Sequence, residues 1–115
     1  MKFAIALTLL ANAAIAEPPK VIKVTTRTQG DSHSFSVTLR HPDTGWDHYA
    51  DGWRIETEDG EVLGTRVLVH PHETEQPFTR SLGGIAVPEG ATRLYVRARC
   101  LLDGWNTERT PVTLP

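Results

Sequence analysis

A single cysteine in 115 residues excludes any internal disulfide, and with it the class of small exported domains stapled by several bridges. Paired cysteines are missing, so no zinc-finger or c-type haem spacing can be drawn. The one long apolar run, Phe3 to Ala11, is too short to cross a bilayer, which takes about 20 residues. No stretch carries the apolar period of an amphipathic helix, and there are no repeats or low-complexity segments. There is also no glycine-rich phosphate loop, no nucleophile with a base partner and no pair of carboxylates at a defined spacing. Hydrolase and transferase chemistry therefore has no support. Neither sign of charge dominates: 12 Lys and Arg stand against 14 Asp and Glu, a net charge of -2. A small acidic excess argues against nucleic acid as a partner and against binding to an anionic membrane surface.

What is present begins with an export pattern. Met1-Lys2 is a short positive start, the apolar run follows, and Ala14-Ile15-Ala16 supplies the small residues that a signal peptidase accepts. The sequence thus predicts a signal peptide over 1–16, one domain over 17–115, a periplasmic location and no membrane insertion after cleavage. A lone thiol in an oxidising compartment must be buried or bound, which singles out Cys100.

Over 17–115, short alternating apolar runs are separated by turn residues at the spacing of an immunoglobulin-like, seven-stranded β-sandwich. The runs are Val21 to Thr28, the stretch carrying Phe35, Val37 and Leu39, that around Trp53 and Ile55, Val62 to Val69, Phe78 to Leu82, Leu94 to Cys100, and Val112 to Leu114. In the fourth, Leu63, Val67 and Val69 share one parity and are expected inward. Cys100 has the parity of Leu94, Val96 and Ala98, and His41 that of Phe35, Val37 and Leu39. Both should point inward at strand ends, where the mouth of a sandwich can form a metal pocket.

Imidazole and thiolate are ligands for iron, copper and zinc. His41-Pro42, His48-Tyr49, Trp53-Arg54-Ile55-Glu56 and Cys100-Leu101-Leu102-Asp103-Gly104-Trp105 follow one another in an order that resembles the desulfoferrodoxin, or superoxide reductase, domain. The resemblance runs from about Val21 to Trp105. It implies a seven-stranded sandwich holding one ferrous iron on four histidines and an axial cysteine, with superoxide reduced at the open position. His41, His48 and Cys100 match family ligands. At the late histidine stands Asp103, a carboxylate able to ligate iron, and the early histidine with its lysine falls near Pro18 and Pro19, where neither exists. The expected metal site is therefore His41, His48, Cys100 and Asp103, with iron or another transition metal as cofactor.

Two other readings compete. A metal-free interaction module on the same fold would bind a periplasmic protein or a small ligand through Trp46 and Trp105, which lie near the proposed ligands in sequence. A copper- or zinc-handling protein would use His70 and His72, although Pro71 between them should hold an extended backbone and make the two rings diverge. Arg93, Arg97 and Arg99 share the outward face of one strand with Tyr95, and are expected to pair with acids of the next strand.

Overall fold

Alternating β-branched and aromatic residues on one side and Ser, Thr or Arg on the other favour pleated chain with one dry face. In the computed structural model, which describes residues 17–115, eight strands result, and among the described residues no helix forms. They are β1 (Lys20–Gln29), β2 (Ser32–Arg40), β3 (Ala50–Glu56), β4 (Val62–Val67), β5 (Phe78–Ile85), β6 (Arg93–Cys100), β7 (Gly104–Trp105) and β8 (Thr110–Thr113). The expected signal peptide over 1–16 lies outside the described residues. Seven of the strands answer to the seven runs of the sequence, and the two-residue β7 is the addition.

One antiparallel sheet has the order β1-β2-β5; the other has β4-β3-β6, with β7 and β8 both pairing with β6. Their inner faces enclose Phe35, Val37, Leu39, Trp53, Ile55, Phe78, Leu94, Val96 and Ala98, each no more than 2% exposed. The all-β sandwich read from the sequence is what the chain adopts.

The parity expected for the fourth run does not hold. Ile55 pairs with Gly64 but Glu56 pairs with Val62, so Leu63 is an extra residue, a β-bulge. A one-residue slip turns every later side chain over. Leu68 is accordingly buried, whereas Val67 and Val69 are 63% and 69% exposed. Gly64 then lies against the core, where an added Cβ would collide with the Ile85 side chain.

The outer face of the larger sheet is built on charge. Glu56, with its side chain 1% exposed, accepts hydrogen bonds from Arg54 Nε at 2.6 Å and Arg97 Nε at 2.8 Å, with Arg109 Nη1 at 3.4 Å. Arg97 adds a second contact, Nη2 to Oε1 at 3.2 Å, which makes the pair bidentate. Arg99 pairs with Asp51, so the acids of β3 do answer the arginines of β6 as expected. Arg54 also lies 4.0 Å over the Trp105 ring, and Arg109 lies 4.0 Å over that of Tyr95. Burial alone would raise the Glu56 pKa, but the hydrogen bonds and charges of Arg97 and Arg54 outweigh it and hold the carboxyl below its ordinary value.

A depressed carboxyl stabilises the fold above its unfolded pKa of about 4.5 and loses that contribution as pH falls through the lower folded value. Glu56→Gln should therefore cost about 3 kcal/mol at pH 7, by leaving three guanidinium groups without their counter-ion. Chemical denaturation should show the gap to the wild type narrowing on acidification below that range. A pH-independent gap would contradict this role.

Candidate metal centre

The metal-ligand candidates meet where the chain crosses between sheets. β2 ends at Arg40 in one sheet, and β3 starts at Ala50 in the other. The connection carries His41 at its first position and His48 near its last. Inside it, Thr44 N–H donates to the His48 carbonyl at 3.0 Å and His48 N–H to the Gly45 carbonyl at 3.1 Å, a tight turn. Gly45 has φ of 148°, a backbone state that favours glycine. The final residue of β6, Cys100, pairs with Ala50, and Leu101 N–H donates to the Tyr49 carbonyl at 3.0 Å. Strand register thus brings the cysteine to the end of the histidine-bearing loop.

Ligand atoms of His41, His48 and Cys100 all lie within 4.8 Å of one another. Ring centroids of His41 and His48 are 4.9 Å apart at 87°. His41 and Cys100 are buried, while His48 is half-buried. Both inward assignments made from parity hold.

What fixes the site is a residue that the ligand motifs passed over. Asp43, with its side chain fully buried, accepts from His41 Nδ1 at 2.6 Å and from Ala50 N–H at 3.0 Å through Oδ1. Its Oδ2 accepts the His72 N–H at 2.8 Å. A carboxylate on Nδ1 favours a proton there, so in the neutral ring Nε2 carries the lone pair. That Nε2 is buried and has no hydrogen-bond partner. Unpartnered buried nitrogens are costly, so the atom that would bind a metal is the one left free. The signal for Asp43 was its position two residues beyond a candidate ligand, close enough for its carboxylate to reach back to the ring.

A second loop clamps this arrangement. Gln76 Oε1 accepts the His41 N–H at 3.0 Å, and Gln76 Nε2 donates to the His72 carbonyl at 2.9 Å. The His72 ring stacks on Phe78 at 3.9 Å and 10°, and its Nε2 accepts from Arg80 at 2.8 Å. Burial first, then the charge of Arg80, lowers the His72 pKa, so the ring is neutral at pH 7. The rings of His70 and His72 do not diverge as expected; their centroids are 4.6 Å apart. The chain bends at His70, and the backbone and ring of His72 are drawn inward, toward Asp43 and Phe78. Among the described residues the pair recruits no third ligand. Beside His41 opens a cavity of about 550 Å³, lined by Lys20 and Arg40, opposite each other in register, and by Glu17, Pro18, Pro42 and Gln76.

Other predicted site residues fall elsewhere. Asp103 is exposed in the turn between β6 and β7 and stands outside the three-donor cluster. A turn closed by the pairing of Cys100 with Gly104 leaves its side chain in solvent. Trp46 is 68% exposed and meets Tyr49 edge-on at 6.0 Å. Trp105 lies on the outer sheet face beneath Arg54. The two tryptophans do not wall one pocket: one projects from the crossing loop, and cation–π stacking covers the other.

The fold has a solved counterpart. A hypothetical protein from Pyrococcus horikoshii superposes with a TM-score of 0.56 at 16% identity, covering 86% of this chain and 88% of that one. That likeness is one of fold alone. A superoxide reductase from Nanoarchaeum equitans superposes at TM-score 0.48 and 14% identity, covering 80% of this chain and 89% of that one. In sequence, 86 residues are 48% identical to a protein of Halomicrobium mukohataei that carries the name "Putative lipoprotein". The match takes in 74% of this chain and 42% of that protein's length. No family model matches.

The residues present do not fit the four-histidine, one-cysteine iron site that the resemblance implies, because two of the five donors have no counterpart in the cluster. They do make a three-donor site able to hold a metal. Removing the carboxylate that orients a ligating imidazole typically costs 10–100-fold in metal affinity. Asp43→Asn should lower metal affinity by about that factor with one-to-one stoichiometry retained, as measured by competition with a chromophoric chelator. Unchanged affinity would remove Asp43 from the site.

Proposed function

We propose that this chain is an extracytoplasmic, desulfoferrodoxin-like domain that binds one transition-metal ion at His41, His48 and Cys100. The observation that carries the reading is the grouping of one nitrogen each of His41 and His48 with the Cys100 sulfur within 4.8 Å, where Asp43 occupies Nδ1 of His41 and its buried Nε2 has no other partner. Buried unpartnered ring nitrogens also occur at His33 and His72, but of the three only His41 belongs to the His, His and Cys cluster. The location rests on the export pattern of residues 1–16 and on the name of the Halomicrobium relative. The domain acts as a binding module. Reduction of superoxide on iron is not assigned to it, since the donor set departs from the family's at two positions.

In a folded frame with its donors already grouped, metal binding adds directly to stability. At a free metal concentration of about 100 times Kd the gain is about 2.7 kcal/mol, or roughly 10–20 °C in Tm for a domain of this size. Metal analysis of protein reconstituted anaerobically should find one ion per chain, with that rise in Tm, and Cys100→Ala should lose both. Failure of the wild type to retain any transition metal would refute the proposal.

A further inference from the structure

Resting on that metal site, we infer that its resident ion is copper, held as a low-coordinate His2Cys centre. The donor set carries the argument. Two imidazole nitrogens and one thiolate sulfur converge, and among the described residues no carboxylate or further histidine joins them. Residues 1–16 contain no His, Cys, Asp or Glu that could complete the set. Ferrous iron in such a site would leave about half of an octahedral shell to water. Zinc on three protein donors takes a water as its fourth ligand, which a site with two fully buried donors disfavours. Trigonal His2Cys with at most a weak axial contact is the arrangement that copper accepts.

Softness and burial point the same way. Thiolate selects the softer ions, and for a given nitrogen and sulfur site the divalent affinity order rises from iron through to copper. Cys100 and His41 are at most 1% exposed, so two of the three donors bind in a dry setting that resists expansion of the shell by water. His41 is held by Asp43, and Cys100 is held by its strand pairing with Ala50. Neither can swing to admit a larger coordination sphere without breaking those contacts. Binding displaces the thiol proton to solvent and forms a metal–sulfur bond, with no change of oxidation state. The copper is therefore placed away from His70 and His72, the pair on which the sequence offers a competing copper- or zinc-handling reading.

The test loads purified protein anaerobically with one equivalent of Fe(II), Zn(II) or Cu(I), removes free metal by gel filtration and counts what stays. Copper should remain at about one per chain, iron should be lost, and one equivalent of copper should displace zinc. Oxidation of the copper form should give an intense visible thiolate-to-copper band, absent in Cys100→Ser. Should that variant not fold, His48→Gln, at a half-buried loop position, should lose copper retention while keeping the wild-type circular dichroism. Iron retained at one per chain, or zinc resistant to copper, overturns the inference and leaves the metal site standing. Copper held equally by Cys100→Ser and His48→Gln puts the ion elsewhere and overturns it too. No retention of any of the three metals takes down the underlying reading as well.

Discussion

The buried carboxylate of Asp43 is the contact on which the functional end of the sandwich depends. It accepts from the His41 ring, from the first residue of β3 and from the backbone of the His70–His72 segment. Both ends of the crossing loop and one segment 29 residues away thus share one acceptor. A charge so buried is costly unless each oxygen is hydrogen-bonded, and here each is. The same bond that satisfies the aspartate dictates which nitrogen of His41 is free. Stability and ligand geometry are set by one interaction.

The rest of the molecule supplies the frame that lets this interaction act at short range. β2 and β3 belong to opposite sheets, so the loop between them must cross the rim, and it carries two histidines there. The pairing of β6 with β3 delivers Cys100 to the same rim. On the outer face, Glu56 with Arg54, Arg97 and Arg109 ties β3 to β6 and to the segment leading into β8. Charged side chains there do what a second apolar layer would do elsewhere, covering aromatic rings through cation–π contact.

Much of this was legible in the sequence, because alternation of period two is a strong signal wherever one face is dry. The parity of Phe35, Val37 and Leu39 carried through to His41, and that of Leu94, Val96 and Ala98 carried through to Cys100. It failed at Leu63, where a bulge inserts a residue that no local composition announces. Asp43 was not singled out, since an aspartate after proline reads as a turn residue until its partners, among them the backbone of His72 29 residues on, are known. The placing of Asp103 was equally illegible: the ligand order of a resembling family says nothing of a tight turn that keeps the side chain in water. For His70 and His72, the stiffness of Pro71 was a sound local argument that lost to tertiary hydrogen bonds.

His41, His48 and Cys100 are proposed as one metal-binding unit, their ligand atoms lying within 4.8 Å of one another. X-ray absorption at the edge of the bound metal tests it most directly, because it counts sulfur and imidazole neighbours without reference to activity. One sulfur and two imidazole nitrogens are expected in the inner coordination shell. A shell of oxygen and nitrogen alone, with no sulfur, would contradict it.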